Sequence, residues 1–221
     1  MSRKKDVVLH TKYLVTEGPI GVGKTSLTSL LADELGARLI LEQAEENPFL
    51  SNFYKNTVRY RFQTQMFFLL NRFSQQQEMF QPDLFTRITI SDYMFDKDRI
   101  FAYLTLDEHE LPLYEQVYNI LEPKIIKPDL VIFLQADTDT LLRRIKQRGR
   151  SFEKEISYDY IAAVNEAYNN FFFRYNDTPL LVINTSDIDF VHRREDLDDL
   201  LKQILSMQQG TQYYVPVSRK R

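Results

Sequence analysis

The sequence predicts an α/β fold in which a five-stranded parallel sheet has helices on both faces. Short apolar runs typical of strands alternate with longer segments of helical periodicity, which is the pattern of a parallel layered sheet. The run LVIFLQ at 130–135 is apolar almost to its end, as expected of a strand covered on both faces. An apolar run at 13–17 also leads through a glycine-containing loop into a helical pattern. Ligands of such a fold bind outside the carboxyl ends of the strands.

Each element has its own local signal. Apolar runs predict strands at 13–17, 38–41, 88–91, 130–135 and 180–184. Apolar residues that recur every three or four positions predict helices that run up to Leu35, over 58–79, around 113–121, over 138–148 and 158–175, and around 197–204. Gly36 is placed to end the first of these helices, and Pro123 follows the end of the third.

Length and composition narrow the classes of protein. At 221 residues the chain fits one domain, with 1–11 and 208–221 expected to be flexible tails. With no cysteine, it has no disulfide framework and no thiolate metal site, and a reducing cytoplasm is expected. A net charge of -3 argues against a general nucleic-acid binder. The apolar stretches are too short to span a membrane. Any phosphate chemistry must therefore be local.

The loop after the first strand matches the phosphate-binding pattern G-x-x-x-x-G-K-[ST]. Its glycines let main-chain N–H groups surround phosphates, its lysine reaches the β and γ oxygens, and its threonine hydroxyl is a ligand for Mg²⁺. The sequence therefore predicts a site for ATP and Mg²⁺. Its residues are Gly18, Pro19, Ile20, Gly21, Val22, Gly23, Lys24, Thr25 and Ser26.

Two carboxylates follow predicted strands and are expected at the same edge of the sheet. Glu42 comes at the end of the second strand, where a carboxylate can accept the proton of a substrate hydroxyl. Solvation of a loop by Glu42, Glu45 and Glu46 explains the same residues equally well. Asp92 follows the third strand, and we favour a role in holding Mg²⁺ with Thr25 over a role as a turn cap.

A cluster of cations surrounds Gly149, in a chain whose net charge is negative. Such a cluster is usually a solvated helix end that the helix dipole favours. Next to a phosphate-binding loop, it also predicts an arginine-rich lid that neutralises the transferring group and excludes water. The cluster consists of Arg143, Arg144, Lys146, Arg148 and Arg150.

Five segments, taken in order, resemble the deoxynucleoside kinase family and, within it, the bacterial deoxyguanosine and deoxyadenosine kinase branch. They are EGPIGVGKT at 17–25, LEQAEENPFL at 41–50, QMFFLLNR at 65–72, SDYMFDKDRIFA at 91–102 and RIKQRGRSFEK at 144–154. The resemblance implies a P-loop kinase fold and transfer of the γ-phosphate of ATP to the 5′-hydroxyl of a deoxynucleoside, with a purine favoured, in nucleotide salvage.

The resemblance also implies roles for individual residues. Glu42 matches the family's general base, and Gln65 and Arg72 match its base-contacting glutamine and arginine. Tyr54 and Glu153 match the partners of the sugar 3′-hydroxyl. Lid positions fall on Arg144, Arg148 and Arg150. A polar residue on this glutamine-rich helix can equally face water, so Gln65 and Tyr54 also have a purely structural interpretation.

The segment after the third strand departs from the family pattern. Many members have an arginine after the acidic residue, where this chain has Tyr93. Arg99 is a candidate replacement for the arginine that orients the catalytic carboxylate. The family's second base-contacting aspartate falls on either Asp96 or Asp98, and this ambiguity leaves the preferred nucleobase open.

Two other functions share parts of this pattern. A nucleoside monophosphate kinase of the thymidylate type has the same loop, sheet and lid, but it binds an anionic acceptor and needs cations rather than a carboxylate there. A P-loop ATPase or switch module transfers phosphate only to water. The resemblance further implies a homodimer, for which the helix around Phe67, Phe68 and Phe73 is a candidate surface, although a buried core explains these aromatics equally well.

Overall fold

A computed structural model describes residues 11–79 and 88–216 and confirms the parallel α/β sheet. Neighbouring strands are parallel throughout, in the order β2-β3-β1-β4-β5-β6. The strands are β1 (Tyr13–Glu17), β2 (Arg38–Ile40), β3 (Thr89–Ser91), β4 (Leu130–Gln135), β5 (Leu180–Asn184) and β6 (Thr211–Tyr214). Because β1 is central and β2 and β3 lie on one side of it, the ends of β1, β2 and β3 meet at one edge.

Helices connect the strands and cover the sheet. They are α1 (Lys24–Leu35), α2 (Leu50–Lys55), α3 (Thr57–Met79), α4 (Lys97–Thr105), α5 (Glu110–Leu121), α6 (Thr138–Arg148), α7 (Tyr158–Phe173) and α8 (Arg194–Ser206). In the described part of the chain, none of them is long and apolar enough to cross a membrane.

The two faces of the sheet are set by the alternation of side chains along each strand. In β4, Ile132 and Leu134 pack with α1, α6 and α8, whereas Val131 and Phe133 pack with α4 and α7. A third apolar cluster joins α3, α4 and α5 around Leu69. Burial on both faces explains why the run of β4 is apolar rather than alternating.

The sheet has six strands rather than the predicted five. The additional strand, β6, lies in the segment 208–221 that we expected to be a tail, so that expectation is wrong for Thr211–Tyr214. Gly210, at φ +69°, allows the chain to turn after α8, and Leu180 to Ile183 pair with β6. Most side chains of β6 are exposed, which explains why the segment lacked an apolar signal. The remaining tail residues, 1–10 and 217–221, lie outside the described residues.

Two helices near the site were not predicted. The short α2 has only two buried side chains, and the apolar positions of α4 lie among charged residues. The other elements agree closely with the prediction. The largest differences in the strands are that β2 and β3 are each one residue shorter, and α7 ends at Phe173 rather than at 175. Of the aromatics proposed as a dimer surface, Phe73 packs in the cluster around Leu69 and Phe68 lines the cavity described below.

Candidate active site

The loop between β1 and α1 has the backbone that the glycine pattern predicts. Gly18 has φ +150°, and a Cβ placed there would lie 2.5 Å from the carbonyl oxygen of Leu134. Gly23, at φ +106°, directly precedes α1. The Lys24 ammonium donates to the carbonyl oxygens of Gly18 (2.7 Å) and Pro19 (3.1 Å). Burial lowers the pKa of Lys24 to about 8, and the nearby Lys97 ammonium adds to this effect.

Thr25 and Asp92 meet at the start of α1. The Thr25 hydroxyl donates to Asp92 Oδ2 at 2.5 Å, and Asp92 Oδ1 accepts from the main-chain N–H of Glu42 at 2.7 Å. A hydroxyl and one carboxylate beside a phosphate loop are the ligands that Mg²⁺ takes when substrate phosphates and water supply the rest. In the described residues no cluster of three or more His, Asp or Glu could hold a metal alone. The pair therefore fits a nucleotide-bound Mg²⁺.

The Glu42 carboxylate lies between two cations. Lys97 Nζ is 2.5 Å from Glu42 Oε2, and Arg72 Nε donates to Glu42 Oε1 at 2.9 Å. Burial alone raises the pKa of a carboxyl, but here the Lys97 ammonium and the Arg72 guanidinium outweigh it and hold the pKa of Glu42 well below its usual range. The Glu42 carboxylate is therefore ionised and fixed by two ion pairs, and it does not serve to solvate a loop.

The structure resolves two questions that the sequence left open. Arg99 is not the cation beside Glu42, because it pairs with Glu115 at 3.3 Å and lies over the ring of Tyr118. Residues 97 and 99 are two positions apart on α4, so their side chains point in different directions, and Lys97 takes the place beside Glu42.

The two aspartates that were candidates for contacting the base, Asp96 and Asp98, have different surroundings. Asp98 is fully buried and lies 2.6 Å from Arg72 Nη1, whereas Asp96 accepts from the Tyr118 hydroxyl at 2.9 Å. Arg72 lines the smaller of the two cavities described in the next paragraph. Neither aspartate is among the described residues that line this cavity. Asp98 thus acts on the site through Arg72, and Asp96 belongs to the contact between α4 and α5.

Two cavities open on either side of the phosphate loop. The larger, of about 990 Å³, is lined by the loop from Gly21 to Ser26, by the arginines of α6 and by residues 186–193. The smaller, of about 170 Å³, is bounded by Glu42 and by side chains of α2, α3 and α4. The residues common to both cavities are Gly21, Lys24, Thr25, Arg148 and Arg150. A phosphoryl group held at this junction faces both cavities.

The three arginines of the predicted lid have different surroundings. Arg144 donates to the carbonyl oxygens of Val22 (3.1 Å) and Thr185 (2.7 Å), so it fixes α6 to the phosphate loop and to the end of β5. Arg148 Nη2 lies 2.5 Å from the buried carboxylate of Glu153. Arg150, beyond Gly149, is 3.4 Å from Glu45. Of these three arginines, Arg148 and Arg150 line both cavities and therefore lie at the junction, whereas Arg144 lines the larger cavity but not the smaller one.

The residues expected to contact the nucleoside all line the smaller cavity: Tyr54, Gln65, Arg72, Asp92 and Glu153. Tyr54 packs edge to face on Phe53 and on Tyr160, with ring centroids 5.4 and 5.9 Å away. Gln65 is buried, and its Nε2 donates to the Thr105 hydroxyl at 3.2 Å. The cavity thus combines aromatic walls with a few oriented polar groups, as small-molecule sites do.

Several residues of the site were missed from sequence. Lys97 lies in the quoted segment DKDRIFA but was hidden among alternating charges. Glu17 is fully buried and accepts from the N–H groups of Gly18 (2.9 Å) and Met94 (3.0 Å), joining the loop to the segment after β3. A glutamate that ends an apolar strand directly before the loop is a signal that could have identified it.

These features define a class of protein, a P-loop phosphotransferase with separate donor and acceptor cavities. We compared the sequence with those of known protein families. The sequence pattern of the deoxynucleoside kinase family matches residues 14–208. The chain belongs to the deoxynucleoside kinase family.

Characterised relatives are similar over most of their length. The chain is 35% identical over 199 residues to a deoxyguanosine kinase of Bacillus subtilis, covering 87% of this chain and 95% of the relative. It is 34% identical over 208 residues to a deoxyadenosine kinase of Lactobacillus acidophilus, covering 87% and 94%. The structure of a deoxyadenosine kinase from M. mycoides with bound dATP has a TM-score of 0.77 at 25% identity, covering 88% of this chain and all of the other.

Proposed function

We propose that this deoxynucleoside kinase transfers the γ-phosphate of ATP to the 5′-hydroxyl of a purine deoxynucleoside, in nucleotide salvage. The observation that carries the proposal is the junction of the two cavities. At this junction the loop lysine Lys24 lines both cavities, and the carboxylate Glu42 lines the smaller one. The purine preference is supported by the two relatives described above, a deoxyguanosine kinase and a deoxyadenosine kinase.

The donor triphosphate is proposed to occupy the larger cavity. Its phosphates would lie on the loop amides with Lys24 and Arg148 beside the γ-phosphoryl group, while Thr25 and Asp92 hold Mg²⁺. When bound, Mg²⁺ neutralises charge on the phosphates. Because transfer proceeds through a loose transition state with charge on the peripheral oxygens, these cations stabilise it electrostatically.

The deoxynucleoside is proposed to lie in the smaller cavity with its 5′-hydroxyl toward Glu42. Glu153 and Tyr54 are proposed to contact the sugar and Gln65 the base, since all three line this cavity. The bond between the γ-phosphorus and the bridging oxygen breaks, the 5′-oxygen forms the new bond, and its proton passes to the Glu42 carboxylate. Since the pKa of Glu42 is depressed, we infer that it first orients the hydroxyl and takes the proton late.

A panel of the four deoxynucleosides with ATP and Mg²⁺ tests the proposal. We expect phosphorylation of deoxyguanosine or deoxyadenosine to exceed that of thymidine. Activity on deoxynucleoside monophosphates alone would identify a monophosphate kinase instead, and release of ADP independent of any nucleoside would identify an ATPase. Homodimerisation stays a prediction of the family resemblance, and light scattering of the full chain in solution tests it.

A further inference from the structure

The Gln65 side chain is a buried amide in the smaller cavity, and one of its two N–H donors is hydrogen-bonded to Thr105. Its exposed fraction is 2%, and its Nε2 donates to Thr105 Oγ1 at 3.2 Å. Its carbonyl oxygen Oε1 is buried and has no hydrogen-bond partner among the residues that the structure describes. Because an unpaired buried acceptor costs free energy, this oxygen is suited to accept a hydrogen bond from a ligand in the cavity.

The orientation of this amide is fixed by donor and acceptor chemistry at Thr105. Thr105 Oγ1 lies 2.7 Å from the carbonyl oxygen of Phe101, one turn earlier in α4. A carbonyl cannot donate, so the single proton of the Thr105 hydroxyl must lie on this contact. The hydroxyl then has only lone pairs to offer Gln65, which must therefore present its NH₂ group to Thr105 and its Oε1 away from it.

We propose that Thr105 is a positioning residue for nucleobase recognition, which holds the Gln65 amide so that Oε1 accepts an N–H from the base. This proposal rests on the proposed function. Thr105 itself contacts Gln65 and Phe101 and is not among the described residues that line the cavity, so it acts through Gln65.

The fixed orientation defines the chemistry that the site selects. The base must bring an N–H donor to Oε1, and an acceptor beside it can take the remaining N–H of the Gln65 amide. The amino group and N1 of adenine have this pattern, as do N1–H and the 6-oxo group of guanine. An analogue that lacks the donor leaves Oε1 unpaired, and sites built this way discriminate strongly against such analogues.

The test compares each purine deoxynucleoside with an analogue that lacks the donor. The pairs are deoxyadenosine with purine 2′-deoxyriboside, which lacks the 6-amino group, and deoxyguanosine with 2-aminopurine 2′-deoxyriboside, which lacks N1–H together with the 6-oxo group. The pair used is the one whose natural member the wild type phosphorylates. The measured quantity is the ratio of kcat/KM within a pair. This ratio does not depend on the fraction of active enzyme, so a loss of stability alone does not change it.

We expect wild-type enzyme to prefer the natural nucleoside. Thr105→Val has nearly the same shape but accepts no hydrogen bond, and we expect it to lower the ratio by about three- to tenfold, as loss of one orienting hydrogen bond implies. Thr105→Ser keeps the hydroxyl and should retain the wild-type ratio. Thr105→Ala makes the same comparison should the valine variant not fold.

Failure of this inference is distinct from failure of the proposed function. If the wild type phosphorylates neither purine deoxynucleoside, the proposed function is wrong. If it does phosphorylate one but does not discriminate against the analogue, or if Thr105→Val and Thr105→Ala keep the wild-type ratio, the role of Thr105 is wrong. A ratio lowered equally in Thr105→Ser also overturns it, because the hydroxyl would then not be the determinant.

Discussion

The Lys97 ammonium lies 2.5 Å from the Glu42 carboxylate and is itself buried, with an exposed fraction of 4%. The cation is supplied by the first residue of α4, four positions after the buried Tyr93 that stands where many family members have an arginine. Arg72, from α3, holds the other carboxylate oxygen. Two separate helices thus orient one side chain, which leaves it little freedom to rotate.

Removal of the Glu42 carboxylate is expected to affect turnover. For Glu42→Gln we expect kcat to fall about 10²- to 10⁴-fold, the usual contribution of a positioned proton acceptor, with little change in the KM for ATP. Steady-state kinetics measure both constants. Glu46→Gln makes the same change at an exposed position of the same loop and should behave as the wild type. Unchanged turnover in Glu42→Gln would remove this residue from the chemistry.

Loss of the Lys97 ammonium is expected to act through Glu42. For Lys97→Met we expect kcat to fall by about tenfold or more, because the Glu42 carboxylate loses the cation that orients it toward the substrate hydroxyl. The KM for ATP should stay near its wild-type value. Lys97→Arg restores a cation and should recover part of kcat, which a purely structural role would not predict. Lys127→Met is the control, since Lys127 pairs with Asp177 at 2.7 Å on the surface. Equal kcat in Lys97→Met and wild type would contradict the assignment.

The depressed pKa of Glu42 predicts a pH dependence of stability. Since the folded-state pKa lies below the ordinary value of 4.5, the carboxylate contributes stability above that pH, and the contribution is lost as the pH falls through and below it. Melting temperatures between pH 5 and pH 3 should therefore fall more steeply for wild type than for Glu42→Gln. Parallel curves for the two proteins would show that the ion pairs do not stabilise the folded state.

The contact of Asp92 with Thr25 predicts a change in metal dependence. For Asp92→Asn we expect the Mg²⁺ concentration that gives half-maximal activity to rise about tenfold or more, because one charged ligand is lost. A Mg²⁺ titration at saturating ATP measures it. Asp96→Asn, which lines neither the donor nor the acceptor cavity, should keep the wild-type requirement. If Asp92→Asn needed the same Mg²⁺ concentration as the wild type, Asp92 would not be a ligand of the metal.

The sixth strand predicts an effect of truncation. A chain that ends at Gln209 loses β6 and its pairing with Leu180 to Ile183, so the edge of the buried β5 becomes exposed. We expect a loss of about 1–3 kcal/mol, seen as a melting temperature about 3–10 °C lower. A chain that ends at Pro216 keeps β6 and serves as the control. Identical melting of the two truncated chains would show that β6 contributes nothing to stability.

The sequence predicts the parts of this structure whose signals are local. Apolar runs define β1, β4 and β5 to the residue, and the loop pattern leads to Lys24 and Thr25. It does not predict contacts that depend on how helices pack. Lys97 meets Glu42 only because the start of α4 lies beside the segment that follows β2, and Gln65 meets Thr105 only because α3 lies against α4. Nor does the exposed strand β6 have a periodic signal.

The contacts of Arg144 distinguish the predicted lid arginines by their position relative to α6. Because Arg144 joins α6 to Val22 and Thr185, Arg148 on the same helix is held in register with the phosphate loop before any substrate arrives. The helix ends at Gly149, whose left-handed conformation at φ +68° is the usual way in which a glycine ends a helix. Of the predicted lid arginines, Arg150 alone follows this helix end, where it lies 3.4 Å from Glu45 and outside the helix that Arg144 anchors.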